Sequence, residues 1–176
     1  MNRGQMMRKF LAACLLFSGA AGAQLPPEQE AISQPVPEAQ PFGAPYGTPI
    51  VLADAKKLIA GAQAEAKKHD WRLACAVVEP TGMLVAYEKM DDTQYASVEI
   101  SIEKAKAAAL YRRSLKAMVD AVKSGNTGML SLPDVIAVEG GMPIVRGGKI
   151  IGALGCSGAA SNQDATAVYK ALEEFK

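Results

Sequence analysis

Two adjacent arginines stand directly before a residue that is typical of helix starts. Arg112 and Arg113 precede Ser114, whose hydroxyl can cap a helix that begins at the next residue. Two guanidinium groups beside a helix N-terminus can hold carboxylates or phosphates, because the charges and the helix dipole both attract anions. The same residues can equally form a solvated, charged link between two helices. The sequence leaves both interpretations open.

A glycine-rich stretch from Gly140 to Asp164 is the second place where chemistry is expected. Its apolar run from Lys149 to Cys156 is short and bounded by glycines, which predicts a buried strand. Ser161 and Asp164 match the Ser-x-x-Asp pattern of a helix start. A glycine bend that leads into a helix can present backbone N–H groups to an anion, although ordinary strands pass into helices in the same way. Three glycines recur at every third position: Gly152, Gly155 and Gly158.

Isolated polar residues offer weaker signals. Lys104 lies in an alanine-rich helical segment, where it can reach a ligand, reach a carboxylate or extend to water. Asp91 and Asp92 can bind a cation or form a polar turn. An enzymatic alternative uses Asp164 or Lys104 as the acid or base, with the glycine bend as an anion hole.

Several common kinds of site have no counterpart in the sequence. The chain has one histidine, His69, which is expected to be a solvated helix end rather than a metal or haem ligand. It has no C-x-x-C-H, H-E-x-x-H, C-x-x-C, phosphate-binding loop or dinucleotide fingerprint. We therefore predict no metal site. The formal net charge of +1 gives no basic surface typical of nucleic-acid binding.

The order of predicted elements places the chain in the α+β class. Strands joined by short turns predict an antiparallel sheet, and the helices are segregated from the strands. Hydrophobic periodicity and turn residues predict a first helix from residue 49 to near His69-Asp70, and further helices over 95–113, 115–123 and 162–175. They predict strands over 72–79, 83–89 and 134–138, and on both sides of the two-glycine turn at 147–148.

The first 48 residues have a different composition. Basic residues, an apolar core and Ala21-Gly-Ala23 predict a signal peptide over 1–23, so the protein is expected to be periplasmic or secreted, with no membrane span in the mature chain. Cleavage removes three basic and no acidic residues, which changes the net charge from +1 to −2. Residues 24–48 are proline-rich and predict a disordered tether, and residues 49–176 form the folded domain.

Two cysteines remain after cleavage, Cys75 and Cys156. An oxidising compartment would permit a disulfide between them. Both lie among apolar neighbours in predicted strands, and we favour two small buried hydrophobic side chains over a disulfide.

Taken together, the motifs resemble one known family. The matching pieces cover about residues 50–175 in order: Ala76-Val-Val-Glu-Pro-Thr-Gly82, Lys89-Met-Asp-Asp92, Ile102-Glu-Lys-Ala105, Ser114-Leu-Lys-Ala117, Gly140-Gly-Met-Pro-Ile144, Gly152-Ala-Leu-Gly-Cys-Ser-Gly158 and Asp164. They are similar to the GlcG/HbpS-type family, also called DUF336, which is related to the C-terminal domains of PduO-type proteins. The chain departs from the family pattern at Asp92, where glycine is usual, and at Glu79-Pro80, where an aspartate is usual.

The resemblance implies a fold and a ligand. The fold would be a profilin-like or PAS-like sandwich around a five-stranded antiparallel sheet, in a homo-oligomer for which octamers are described. The ligand would be haem, or a corrinoid by way of the PduO-type relatives, and haem breakdown has been attributed to some members. The positions that carry over as a ligand surface are Asp91, Lys104, Ser114, Gly140, Gly141, Ser157 and Asp164.

We therefore expect an exported, oligomeric protein that binds haem. Arg112 and Arg113 would receive the propionates, and Ser114 would lie near the iron. The family match supplies no strong iron ligand, so an oxygen donor such as Ser114 or a tyrosine, or a weak contact alone, is implied. The alternatives are an enzyme for a small carboxylate metabolite and a purely structural or regulatory oligomer.

Overall fold

A computed structural model describes residues 44–175, so the predicted signal peptide and most of the proline-rich segment lie outside the described residues. In chain order the elements are α1 (Leu52–Lys68), β1 (Ala74–Val78), β2 (Leu84–Lys89), α2 (Ser97–Leu110), α3 (Leu115–Lys123), a 3-10 turn (Thr127–Ser131), β3 (Gly141–Arg146), β4 (Lys149–Ser157) and α4 (Ser161–Glu174). The α+β class is confirmed. In the described part of the chain, no helix is long and apolar enough to cross a membrane.

The four strands form one antiparallel sheet in the order β2-β1-β4-β3. The hairpin of β1 and β2 and the hairpin of β3 and β4 are both as predicted, and Gly147 and Gly148 take the positive φ angles that their turn needs. The two hairpins join through β1 and β4, so these central strands are the most buried.

Helices cover both faces of the sheet. On one face, α1 and α4 pack against each other and over residues of β1 and β4 that include Cys75, Val77 and Leu154. On the other face, α2 and α3 cover Ala76, Val78 and Ala153. Alternate residues of the central strands therefore contribute to two separate hydrophobic clusters, as the period of two along a strand requires.

Glycines let α2 lie directly on the sheet. A Cβ at Gly155 would stand 2.4 Å from the backbone of Ser101 and Ala105, and a Cβ at Gly141 would stand 2.4 Å from the Lys104 carbonyl oxygen. No side chain fits at these distances. The glycines of this stretch therefore serve helix–sheet packing, which is the structural role that glycine offers at a close backbone approach.

The segment before α1 joins the sheet instead of starting the helix. Gly47 and Ile50 donate backbone hydrogen bonds to the carbonyl oxygens of Ile150 and Ile151, and Tyr46 forms a parallel bridge with Ile150. These bonds hold residues 45–50 extended beside the start of β4. The predicted helix start at Thr48-Pro49 is therefore wrong by three residues, because the backbone of this segment forms hydrogen bonds with β4 instead.

The predicted strand over 134–138 is also wrong. Asp134 has a φ of 57°, and its carboxylate receives Lys106 of α2 at 2.6 Å. The Tyr111 hydroxyl donates to the Pro133 carbonyl oxygen at 2.5 Å. The segment is thus held against α2 through side chains rather than through a strand ladder. Four strands, and not five, make up the sheet in residues 44–175.

Cys75 and Cys156 form a disulfide, which corrects the preference for two separate thiols. They lie directly opposite each other on β1 and β4, with Cα atoms 4.2 Å apart. The strand register brings them together, because side chains of directly paired residues project to the same face. The sequence alone does not show this strand register, because the two cysteines are 81 positions apart.

Candidate functional site

A buried ion pair connects the two helical layers. The Lys104 Nζ of α2 lies 2.9 Å from Asp164 Oδ2 of α4, and the two side chains are 1% and 2% exposed. The second carboxylate oxygen, Oδ1, accepts a hydrogen bond from the Ala159 N–H at 3.0 Å. Asp164 therefore does not pair with Ser161 in a capping pattern as predicted. Ser161 is already within the helix, and Ala160 precedes it as the cap residue.

The ion pair lies beside the part of β4 that has no partner on β3, because β3 starts only at Gly141. The Cys156 carbonyl oxygen there accepts a hydrogen bond from Lys104 Nζ at 3.2 Å, while its N–H donates to the Gly140 carbonyl oxygen. A Cβ at Gly140 would stand 2.8 Å from both Lys104 Nζ and the Asp164 Cβ. Only glycine fits beside the pair, and its φ of 114° requires glycine as well.

Burial and pairing have opposite effects on the pKa of Asp164. Burial raises the pKa of the Asp164 carboxyl, while the Lys104 ammonium and the Ala159 N–H stabilise the charged carboxylate. Each charge is satisfied by the other and by backbone groups, and neither side chain is open to solvent. The arrangement can tie α2 to α4, but in this conformation it cannot exchange protons with a solute.

Ser157 and Gly141 lie close to the same place but in structural contacts. The Ser157 hydroxyl donates to the Ser97 hydroxyl at 3.3 Å, so the last residue of β4 is bonded to the first residue of α2. Gly141 is covered by α2 and by the Leu115 side chain. Four of the predicted site residues, Lys104, Gly140, Gly141 and Asp164, are thus brought together, with Ser157 beside them.

The Arg112–Ser114 corner occupies a separate position after the end of α2. Arg112 has a φ of 53°, whereas the other non-glycine residues of positive φ in residues 44–175 are all aspartates. Aspartate enters this region readily and arginine rarely does, so Arg112 is the unusual case. Its guanidinium lies 5.6 Å from the centre of the Tyr46 ring. The Tyr46 hydroxyl contacts the carbonyl oxygens of Ala109 and Leu110 at the end of α2.

The two guanidinium groups of the corner repel each other. Partial burial and the Arg112 charge both lower the pKa of Arg113, which still remains protonated near neutral pH. Arg113 Nε donates to the Tyr111 carbonyl oxygen, and Ser114 caps α3 as predicted by accepting from the Lys116 N–H. The anion site that the sequence suggests at this corner stays a prediction.

Asp91 belongs to neither group. It is exposed in the loop after β2, next to Asp92, which has a φ of 60°. The predicted site residues therefore fall into three places: the buried pair with its glycines, the arginine corner and this loop. No groups of three or more His, Cys, Asp or Glu residues suited to a metal ion occur in the described ranges.

His69, for which a solvated helix end is expected, makes two side-chain contacts. His69 does follow α1 and is 46% exposed, but its Nε2 lies 3.2 Å from Glu65 Oε1. Its ring stacks on Trp71 with centroids 4.4 Å apart and planes at 21°. The signal was present in the sequence, because Glu65 and His69 are four residues apart on a helix and such residues are neighbours.

A family model described as haem-degrading protein HbpS-like matches residues 50–173. The chain belongs to this HbpS-like family. Protein GlcG of Escherichia coli K12 is 41% identical over 112 residues, which cover 62% of this chain and 84% of GlcG. The resemblance that the sequence motifs indicated is therefore confirmed.

Solved structures share the fold of this HbpS-like chain. The Klebsiella pneumoniae protein ORFY, a DUF336 member, superposes with a TM-score of 0.68 at 25% identity over 81% of this chain and 97% of ORFY. A complex of PduOC with haem superposes with a TM-score of 0.65 at 24% identity over 72% of this chain and 94% of that one. The second likeness shows the fold alone.

Proposed function

We propose that this HbpS-like protein is exported and binds haem or a related tetrapyrrole as a homo-oligomer. Membership of the HbpS-like family over residues 50–173 carries the proposal. The PduOC complex with haem supports it, because a neighbour with the same fold accommodates this ligand. A corrinoid is the second tetrapyrrole to test. We retain the profilin-like or PAS-like type of sandwich as part of the proposal.

The arginine corner supports an acidic ligand. Arg112 and Arg113 place two positive charges side by side, and Arg112 holds a backbone conformation that arginine rarely adopts. Such strain tends to persist where surrounding contacts or a ligand require it. In this proposal the guanidinium groups receive the two propionates of haem, and Ser114 lies nearby. Because Ser114 Oγ caps α3, it contributes at most a weak oxygen contact to iron.

A titration of the mature protein with haemin tests the proposal. We expect a saturable change in the Soret band, and at least about a tenfold loss of affinity in the double variant Arg112→Ala, Arg113→Ala, because each lost charge-assisted contact is worth more than about 1 kcal/mol. The double variant Lys116→Ala, Lys123→Ala removes two exposed cations from α3 and serves as the matched control. Absence of any saturable change in the unmodified protein would reject haem binding.

The Lys104–Asp164 ion pair argues against the enzymatic alternative. It requires Lys104 or Asp164 as an acid or base, and both are almost fully buried and bound to each other. A general acid or base must reach the proton that it transfers, in the free enzyme or after substrate binds. The purely structural oligomer remains the second candidate. It predicts a large apolar interface between subunits and no haemin binding.

Export is supported by chemistry in the folded domain. The Cys75–Cys156 disulfide is of the kind that persists in oxidising compartments such as the periplasm. The mass of the protein isolated from its own host tests the proposal, since cleavage after Ala23 would leave Gln24 as the first residue. Native mass spectrometry of the same sample measures the number of subunits. A full-length chain would reject the cleaved signal peptide.

A further inference from the structure

The end of the sheet that carries the β1–β2 turn has a group of exposed apolar side chains. Each of them is between 45% and 67% exposed, and we refer to them as the hairpin-end patch: Tyr46, Val51, Leu52, Met83 and Leu84. Isolated apolar side chains are ordinary at a protein surface, whereas a contiguous group of them usually binds a partner. Their positions in the fold therefore decide whether they form one surface.

Strand pairing brings the β1–β2 turn next to the start of α1. β1 ends at Val78, which pairs with Leu84 of β2. Beyond that point the segment before α1 lies beside β4 in place of β1. A Cβ at Gly152 of β4 would meet both the Val78 carbonyl oxygen and the Ile50 side chain. The next two residues after Ile50 belong to the patch, so its α1 members and its β2 members are neighbours.

The last turn of α2 connects Tyr46 to the same place. A Cβ at Gly82 would lie 3.6 Å from the Leu110 side chain, so the β1–β2 turn rests on the end of α2. The Tyr46 hydroxyl donates to the Leu110 carbonyl oxygen at 3.0 Å. A backbone hydrogen bond between Glu79 and Met83 closes the turn. The elements that carry the patch are thus fixed to one another, which lowers the entropy cost of binding a partner.

The start of α1 departs from the usual chemistry of a helix end. Its cap residue is Val51, whose side chain makes no cap hydrogen bond, and its first residue is Leu52. A serine, threonine, aspartate or asparagine at the cap would stabilise the helix, and acidic residues suit its first turn. Natural proteins break such local rules mainly where a residue has a function. Two exposed apolar side chains at positions that favour polar ones indicate a surface that another molecule covers.

The size of the patch matches what one subunit contributes to a pair. Half of five side chains of roughly 200 Å² each leaves on the order of 500 Å² of exposed apolar surface. A standard interface takes about 800 Å² from each partner, and roughly 65% of that area is apolar between identical subunits. The patch contains no charged side chain, so two copies can meet there without burying a charge.

We propose that the hairpin-end patch is an interface with a second copy of this chain, with a two-fold axis that makes the two patches face each other. The inference rests on the homo-oligomer of the proposed function and deepens it, because it names the surface through which two subunits meet. It does not depend on haem binding.

Sedimentation equilibrium of the full mature chain over a range of concentrations tests the inference. The double variant Val51→Asp, Leu52→Glu introduces acids into the patch at positions where acids favour the helix. Association should therefore weaken while α1 stays folded, and we expect the dissociation constant of the interface to rise at least about 100-fold. The control Tyr95→Glu changes a side chain that is 90% exposed beyond the other end of β2, and it should leave the subunit number unchanged.

A second variant tests whether the partner is another copy. Met83→Lys, Leu84→Lys introduces cations into the patch and should weaken association by a similar factor. An equimolar mixture of the acidic and the basic variant should regain association, because the opposite charges come together when two patches face each other. Circular dichroism and thermal unfolding check that each variant is folded.

The outcomes separate this inference from the proposed function. If the unmodified chain associates and both variants keep its subunit number, the interface is wrong while the homo-oligomer stands. If both variants dissociate and their mixture does not regain association, the two-fold pairing of patches is wrong. If the unmodified chain is a monomer at all concentrations, the interface and the homo-oligomer both fail, and the haemin titration decides haem binding separately.

Discussion

Two carboxylates in this molecule bind basic side chains, one in the buried interior and one at the surface. Asp164 holds Lys104 at 2.9 Å in the interior, and Glu65 holds His69 at 3.2 Å on the surface. Every polar atom of the buried pair is used within the fold, so the pair contributes to structural integrity. The second pair includes the His69 ring, which is 46% exposed to solvent. The comparison teaches that burial, rather than the mere presence of an ion pair, decides how much such a pair matters to the stability of this fold.

Removing the buried cation should have the largest effect. Lys104→Met leaves the Asp164 carboxylate buried without its partner, and we expect a loss of about 3–5 kcal/mol in the free energy of unfolding. The second substitution Asp164→Asn in the same chain should restore part of it, because no unpaired charge then remains. Glu65→Gln should have a much smaller effect on the free energy of unfolding, because solvent screens an ion pair with a half-exposed partner. Urea unfolding of the four proteins measures the contrast, and equal losses in the two single variants would contradict it.

The disulfide should have the next largest effect, in the same buried region. It closes a loop between residues 81 positions apart, and the double variant Cys75→Ala, Cys156→Ala should lose about 2–4 kcal/mol. Reduction of the unmodified protein should lower its unfolding midpoint in the same direction, and the double variant should not respond to the reductant. A response of the variant would show that the reductant acts elsewhere.

The pH dependence of stability should be a smaller effect, and its sign should differ between Asp164 and Glu65. Burial raises the pKa of Asp164, and in Lys104→Met no cation opposes that, so the folded state binds its proton more tightly than the unfolded state does. The stability of this variant should fall as pH rises from about 4 through the raised pKa. The destabilisation by Lys104→Met should therefore be at least about 1 kcal/mol smaller at about pH 5 than at about pH 8.

Glu65 should behave in the opposite way. Its pKa is lowered in the folded protein, so its contribution is present above the ordinary pKa of a glutamate and is lost as pH falls through the lowered value. The small difference between Glu65→Gln and the unmodified protein should therefore vanish in acid. Urea midpoints measured across this pH range test both signs. A parallel pH dependence of the two variants would contradict the comparison.

Most of the local structure was predictable because it depends on neighbours in the chain. Of the apolar stripe that helical spacing predicts for α1, the residues within the helix are buried: Ala55, Leu58, Ile59, Ala62 and Ala66. Val51, which was predicted to belong to the stripe, precedes the helix and is exposed. Both hairpins, the Ser114 cap and the two-glycine turn followed from turn and cap residues alone. The wrong predictions came where a distant element decided the backbone, at Thr48-Pro49 beside β4 and at residues 134–138 beside α2.

The polar residues were harder to interpret than the elements that carry them. The sequence located Lys104 and Asp164 as important positions, but it did not show that they are partners, because 60 positions separate them. Helix periodicity correctly predicts the exposed helix end at His69 but does not show its stack on Trp71. Local spacing gives the Glu65–His69 contact, whereas the orientation of the ring depends on how the chain turns after α1.

The sequence by itself determined the family, the α+β class, the order and nature of most elements, and the positions where charge and glycine are concentrated. These depend on periodicity, on turn chemistry and on motifs read in order along the chain. Only the tertiary structure decided that Cys75 meets Cys156 and that Lys104 crosses a sheet edge to Asp164. Strand register and helix docking create those contacts, and both arise from packing between residues far apart in the chain.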